Sequence, residues 1–148
     1  MKDTLSRFEL ILATAPRKLV DISETDASRK PAPDKWCRKE ILGHLIDSAG
    51  NNHQRFVRVQ HTPRLEFPEY DQDPWVSSQA YATEPWADLV NLWLLLNRHL
   101  LHIVKATPPQ VFQHELLIGH HPAMTFEALV PSYLKHLEHH LAQIYTAP

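Results

Sequence analysis

The sequence predicts an all-α protein, a four-helix bundle with long loops between its helices. Four segments repeat their apolar residues with the period of an α-helix, and most of the twelve prolines fall between those segments. No segment shows the sustained apolar–polar alternation of a β-strand, so we expect no sheet. Helices that carry one apolar stripe bury it best by packing against each other, which favours a bundle.

Length and charge limit the classes of protein to consider. The 148 residues fit one domain, residues 1–148, and the formal net charge of −2 gives no basic surface for nucleic acid or an anionic membrane. The most apolar stretch, residues 89–96, is far shorter than the ~18 residues of a membrane-spanning helix. Cys37 is the only cysteine, so no internal disulfide can form. We expect a soluble, cytoplasmic protein.

The first two helices are predicted from their apolar spacing. Helix one is expected from about Thr4 to the neighbourhood of Pro16, with a continuation towards Ile22. The polar segment 23–35 follows it. Helix two is expected from near Arg38 to about Gln60. Residue 37 would be its N-cap, and residue 40 would complete a capping box. Its inner stripe consists of Ile41, Leu45, Ala49, Asn52, Phe56 and Val59.

Helix three begins near Thr83 after a long loop, and helix four follows Thr125, a good N-cap. Helix three is apolar on more faces than one bundle core needs, which predicts a homodimer. Its main stripe is Trp86, Leu89, Val90, Trp93, Asn97, Leu100, Leu101 and Val104. The inner stripe of helix four is Leu129, Tyr133, Leu137, Leu141 and Ile144.

Two of the eleven histidines are spaced to share a metal ion. His136 and His140 are four residues apart, about 40° around the helix axis, at the edge of the apolar stripe. Helical zinc sites use this spacing. His139 should face solvent instead. The HExxH and HxxEH protease signatures are absent, because Glu138 lies at the wrong offsets.

His44 is the candidate for a third ligand, because it lies at the edge of the inner stripe of helix two. Ser48, Asn51 and Arg55 continue its row at successive turns, with Asn52 beside them. Buried without partners, such a row would be costly, but it makes sense if it lines a cavity where substrate binds. The alternatives are an ordinary boundary histidine and, for Arg55, a surface ion pair.

The loops leave several assignments open. Tyr70, Asp71, Asp73 and Trp75 lie in the loop 62–76 and could form the mouth of such a cavity, although packing within the loop is the simpler interpretation for the two aromatic residues. The other eight histidines have no paired inward spacing. We interpret seven of them as surface residues and leave His121 open. His121, Asp71 and Asp73 are the candidates for a fourth ligand.

Together these residues resemble the DinB-like superfamily of helical bundles. The resemblance rests on W-x-x-x-E-I-L-G-H-L from residue 36, the continuation IDSAGNNHQRFVR, YDQDPWV, and HLEHHLAQI from residue 136, in order over about residues 4–146. It implies a four-helix bundle, often dimeric, with three histidines around a divalent metal. These would be His44 from G-H-L and His136 and His140 from H-x-x-x-H, which helical geometry also selects. Cys37 stands where the family usually has serine or threonine.

The resemblance leaves the reaction open, because the superfamily spans several. Some members use low-molecular-weight thiols, such as bacillithiol S-transferases and the mycothiol-dependent maleylpyruvate isomerase. We therefore expect a metal-dependent S-transferase that uses such a thiol on a small molecule. The alternatives are a metal-dependent hydrolase and a non-catalytic metal-binding bundle. Zinc or nickel is the ion expected first, with iron and manganese as alternatives, since imidazole suits several divalent metals.

Overall fold

Four long helices dominate the computed structural model, which describes residues 1–147 and confirms the predicted helical bundle. Two short helices lie in the connections between them. The long helices are α1 (Lys2–Val20), α3 (Arg38–Arg58), α5 (Trp86–Ala106) and α6 (Phe126–Thr146), and the short ones are α2 (Glu24–Ser28) and α4 (Gln72–Ser78). Short 3-10 turns cover Val59–His61, Tyr81–Thr83 and Pro109–Gln113.

Helix α3 occupies the centre of the bundle, packed against both α5 and α6. Every member of its predicted inner stripe is buried, and so is every member of the α6 stripe. On α5, Leu101 is only half-buried, while the rest of the predicted stripe is buried. Rings from three helices meet in the core, because Phe56 on α3 packs against Phe126 and Tyr133 on α6, and Phe8 on α1 also packs against Tyr133. The histidine-bearing helices are therefore fixed by a shared apolar core.

The predicted starts of α3 and α6 are present, and α1 is continuous where an interruption near Pro16 was expected. The backbone N–H of Cys37 donates to the Glu40 carboxylate over 2.8 Å, and the Thr125 hydroxyl accepts from the N–H of Ala128. Helix α1 does not stop near Pro16 but runs through it to residue 20. One proline removes a single backbone hydrogen bond, and the buried stripe of α1 continues beyond it to Leu19.

A small three-stranded sheet contradicts the expectation of no sheet. Strand β1 (Arg64–Phe67) pairs in parallel with β2 (Glu115–Ile118), and β2 pairs in antiparallel with β3 (Met124–Thr125). Strands of two to four residues are too short for alternation to be visible in a sequence. The sheet joins the loop after α3 to the segment before α6. Both connections are therefore held together where α3 ends and α6 begins.

Two glycines allow close approaches that fix this arrangement. A Cβ at Gly43 would collide with the ring of Tyr81. A Cβ at Gly119 would collide with the side chain of Glu69, and Gly119 also has a φ of +54°, which side chains rarely adopt. Gly43 precedes His44 directly, so the glycine of the G-H-L motif has a packing role next to the histidine.

The surface of α5 keeps two large apolar side chains exposed, Leu92 at 41% and Leu95 at 63%. The homodimer inferred from this helix stays a prediction. None of the helices within residues 1–147 is long and apolar enough to cross a membrane.

Candidate metal centre

The three predicted histidines converge between α3 and α6. His44 Nε2 lies 3.0 Å from His136 Nε2, and the ligand atoms of His44, His136 and His140 all lie within 4.8 Å of one another. The three rings meet edge to face, with centroids 4.6 to 5.0 Å apart. Residues 92 positions apart in the chain therefore present their imidazoles to one point.

This spacing fits a divalent ion. In a tetrahedral site with metal–nitrogen bonds of about 2.05 Å, the nitrogens are roughly 3.3 Å apart. The observed separations, from 3.0 Å to at most 4.8 Å, are compatible with that value. Within residues 1–147, no fourth histidine, cysteine or carboxylate joins the cluster. Three imidazoles would leave coordination positions for water or substrate, as catalytic sites do.

Neighbouring oxygens orient two of the rings. His140 Nδ1 lies 2.8 Å from Gln143 Oε1, and His136 Nδ1 lies 3.5 Å from Ser48 Oγ. A proton on Nδ1, donated to these oxygens, leaves the Nε2 lone pairs free for a metal. The ring of Trp36 packs against His44 at a centroid distance of 5.4 Å and limits its rotation.

Burial keeps the three imidazoles neutral. It lowers the pKa of His44 to about 4 and that of His136 to about 4, with the neighbouring histidine rings adding to the effect. Burial also lowers the pKa of His140, although the bond to Gln143 opposes it. The neutral ring is the form that binds a metal, so at pH 7 the cluster is ready for one.

His139 faces outward, as helical geometry predicts. It is exposed, and its Nε2 lies 3.1 Å from the side-chain nitrogen of Gln143. Two histidines expected at the surface are instead half-buried. The ring of His53 lies 5.4 Å from that of His99, and Nδ1 of His114 lies 2.7 Å from the carbonyl oxygen of Val59.

A cavity of about 470 Å³ opens beside the histidines. This volume is within the range of small-molecule sites. The cavity wall comes from α3, α6, the loop after β1 and the turn after β2. Its polar and charged lining is His44, Ser48, Asn52, Arg55, Glu69, Tyr70, Asp71, Gln72, His121, Ser132, Tyr133 and His136.

Three of the four predicted substrate-binding residues line this cavity, namely Ser48, Asn52 and Arg55. Asn51 is buried but lies outside the lining, where its side-chain amide donates to the carbonyl of Asp47 over 2.9 Å. Arg55 is only 9% exposed, and no carboxylate within residues 1–147 lies within ion-pair distance of it. A surface ion pair is therefore not its role in this structure.

The loop side of the cavity contains a pair that the sequence left open. His121 Nε2 lies 2.5 Å from a carboxylate oxygen of Glu69. Asp71 instead caps α4 by accepting from the N–H of Asp73, while the ring of Tyr70 packs against Trp75 at 4.7 Å. The order in the sequence could not reveal the His121–Glu69 pair, because β1 and β2 bring these residues together.

A second cavity, of about 540 Å³, is lined by residues next to the cluster, although none of the three histidines lines it. Trp36, which packs on His44, lines it, and so does Gln143, which is bonded to His140. Gln72, at the start of α4, lines both cavities. The second cavity is therefore connected to the histidine cluster through Trp36 and Gln143.

Comparison with known proteins gives one family and several similar folds. The model of the DinB superfamily matches residues 8–144. No curated protein matches the sequence. Among solved structures, YfiT from Bacillus subtilis, described as "a probable metal-dependent hydrolase with an unusual four-helix bundle topology", has a TM-score of 0.80 at 20% identity, covering 97% of this chain and 85% of YfiT.

Two structures of the mycothiol-dependent maleylpyruvate isomerase are also similar. The first has a TM-score of 0.78 at 12% identity over 97% of this chain. A histidine-to-alanine variant has a TM-score of 0.76 at 14% identity over 99% of this chain. The chain spans only 60% and 61% of their lengths. At these identities the likeness establishes the fold alone.

Proposed function

The chain belongs to the DinB superfamily, whose model matches residues 8–144, and from this premise we propose that it is a metal-dependent S-transferase using a low-molecular-weight thiol on a small molecule. The observation that carries the proposal is a pair of cavities near the histidines that share Gln72, the first lined by His44 and His136 and the second by Trp36 and Gln143, which contact the cluster. A transferase must hold two reactants next to one centre, whereas hydrolysis needs only one organic substrate and water. Two adjoining cavities fit the first requirement.

The three histidines would hold the ion, with zinc or nickel expected first and iron or manganese as alternatives. A bound divalent ion would supply a positive charge that makes a thiol or water more acidic. The protein's own contribution is to keep His44, His136 and His140 neutral and correctly turned, through burial and the bonds to Ser48 and Gln143.

His121 and Glu69 are suited to move the proton. In the transfer, the thiol sulfur forms a bond to an electrophilic carbon, and the leaving group departs with the electron pair of the bond that breaks. The thiol proton must leave the cavity. His121 lines the cavity and is bonded to Glu69, which orients the ring. It can accept this proton and pass it to solvent.

A metal-dependent hydrolase is the second candidate. It is favoured by the same His121–Glu69 pair, which could serve as the base that activates water, and by the likeness to YfiT over 85% of that protein. In this case the second cavity would have no assigned role. That difference makes the S-transferase the better-supported proposal.

Both candidates can be tested on protein purified without an affinity tag and loaded with zinc or nickel. Cysteine, glutathione, bacillithiol and mycothiol would each be offered with chlorodinitrobenzene, and thioether formation would be measured. Hydrolysis of nitrophenyl esters would be measured without thiol. The S-transferase proposal expects thioether formation that is lost in His136→Ala and kept in His139→Ala.

Metal-dependent ester hydrolysis without any thiol transfer would favour the hydrolase. Neither reaction in fully loaded protein would favour the third possibility, a non-catalytic metal-binding bundle. His139→Ala is the matched control, because His139 lies on the same helix and is exposed, and it is not one of the three clustered histidines.

A further inference from the structure

Arg55 is a buried charge with no hydrogen-bond or ion-pair partner within residues 1–147. It is 9% exposed, its Nε is buried with no hydrogen-bond partner, and it lines the 470 Å³ cavity. Its guanidinium lies over the ring of Phe67 at 5.1 Å, which holds the group in place without neutralising it. A buried charge without a direct ion pair is costly, and the more distant Glu69 only partly opposes that cost, so the position is best explained by a ligand that offsets the rest.

The two acidic residues that share the cavity wall with Arg55 are engaged elsewhere. Glu69 is bonded to His121 over 2.5 Å, and Asp71 caps α4 by accepting from the N–H of Asp73. Neither carboxylate lies within 4.0 Å of the guanidinium in the described residues. The donors of Arg55 therefore remain available on the cavity side, and an arginine fork matches a carboxylate or a phosphate.

The subsite lies far from the histidines along α3. His44 and Arg55 are eleven residues apart, which corresponds to roughly 16 Å along a helix axis. The arginine side chain leans towards the N-terminus of its helix and shortens this gap. A ligand that reaches both ends must still be elongated, with its reactive group at one end and its negative charge at the other.

We propose that Arg55 forms an anion-binding subsite, which holds a carboxylate or phosphate at the far end of an elongated thiol or substrate whose reactive group lies at the histidines. The position of the reactive group rests on the proposed function. The binding of an anion by Arg55 does not, because it follows from the cavity and the unpaired guanidinium alone.

Anion binding can be measured directly with inorganic phosphate and with succinate, by calorimetry on the zinc-loaded protein. Arg55→Gln should weaken binding by roughly tenfold or more, the effect of losing a charge-assisted hydrogen bond. Tighter binding of phosphate would indicate a phosphorylated ligand, and tighter binding of succinate a carboxylate. If the wild-type protein and Arg55→Gln bind these anions with equal affinity, the inference is overturned.

Arg58→Gln is the matched control. Arg58 also lies over Phe67, at 5.8 Å, but it is exposed and its Nε donates to Gln54. Its loss should change anion affinity by less than about twofold, as for an exposed, screened charge. In the wild-type protein, the Nε–H resonance of Arg55 should shift when phosphate is added. An unchanged resonance at saturating phosphate would refute the subsite without relying on a variant that folds poorly.

The length of the ligand can be tested with a series of linear mercapto acids, each with a thiol at one end and a carboxylate at the other. Affinity for the zinc-loaded protein should rise to a maximum at one chain length in the wild type. In Arg55→Gln that maximum should disappear, while zinc content stays the same. An identical profile in both proteins would contradict the inference.

These outcomes separate the subsite from the proposed function. If phosphate binding depends on Arg55 but no thiol transfer or hydrolysis is found, the function is wrong and the subsite stands. If the S-transferase is active and Arg55→Gln changes neither KM nor anion binding, the subsite is wrong and the function stands.

Discussion

The two halves of the site are built differently. The helical half holds His44, His136 and His140 on long helices packed into the core, with the side chain of His44 almost fully buried. The loop half holds His121 and Glu69 on connections joined by a short sheet, with side chains 67% and 45% exposed. Rigid, dry surroundings suit metal binding, whereas exposed loops suit substrate entry and proton exchange. Metal affinity should therefore depend on the first half and turnover on both.

The largest expected effect falls on the helical half. His44→Ala should lower metal affinity by more than about 100-fold, because losing a ligand costs more than losing a residue that orients one. His53→Ala is the control, since His53 lies on the same helix and its ring contacts His99 instead. Competition with a chelator measures both. Equal affinities would show that the cluster is not the metal site.

A smaller effect should be confined to the loop half. His121→Ala should reduce turnover by about 10- to 100-fold, the lower part of the range for a lost general base, while metal content stays unchanged. His120→Ala is the control, because His120 precedes His121 in the chain and is also exposed, but does not line the cavity. Metal loss in His121→Ala would show that the two halves are not independent.

The geometry of the loop half can be altered through its backbone. Gly119→Ala should destabilise the fold by about 1–2 kcal/mol, the cost of a left-handed conformation for a residue with a side chain. Gly50→Ala should instead have a neutral or stabilising effect, because a Cβ there meets nothing within 4 Å and alanine favours the helix. Thermal unfolding compares them. A Gly119→Ala variant as stable as wild type would remove the role assigned to this turn.

Acid should affect the helical half only well below neutral pH. The pKa values of about 4 at His44 and His136 mean that the cluster stays neutral until the pH approaches that value. Metal affinity should fall less than about tenfold between pH 7.5 and 5, and steeply below. Release of half of the bound metal near pH 6, where an ordinary histidine titrates, would contradict the burial of the site.

The metal-free protein gives the same information through its stability. Between about pH 6.5 and 4, these histidines are protonated in the unfolded chain but remain neutral in the folded protein. The free energy of unfolding should therefore decline as the pH falls through this window. His44→Ala should flatten the decline. A melting temperature independent of pH across the window would contradict the lowered pKa values.

The exposed face of α5 should have the smallest effect on the site. Because Leu95 is 63% exposed beside the half-exposed Leu92, we predict that this face forms a homodimer. Leu95→Ser should weaken the dimer and leave metal content unchanged. Sedimentation at several concentrations measures this. A wild-type monomer at high micromolar concentration would remove the inference.

The two halves also differ in what the sequence could reveal. The helical period placed His136 and His140 on one face and His139 on another, because the angle between neighbours in a helix is fixed. The same period selected His44 and the row that ends at Arg55. That the row's charge is unpaired could not be foreseen, since the loop that carries Glu69 had no predictable position.

The loop half depends on contacts between distant segments. Glu69 meets His121 only because Arg64–Phe67 pairs with Glu115–Ile118, and strands of four residues carry too little pattern to be recognised. Gly119 is a local sign of a turn there, and its φ is positive in the structure. The sequence did not indicate the second cavity either, because the residues that line it, such as Trp36 and Gln143, are far apart in the chain.

The central claim is that three histidines bind one divalent ion. Its most direct test is elemental analysis of untagged wild-type, His139→Ala and His140→Ala proteins, prepared side by side. We predict one divalent ion per chain in the wild type and in His139→Ala, and less than about a tenth of that in His140→Ala, because His139 is outside the ligand cluster and His140 belongs to it. Equal metal content in the two variants, or none in the wild type after exposure to zinc and nickel, would contradict it.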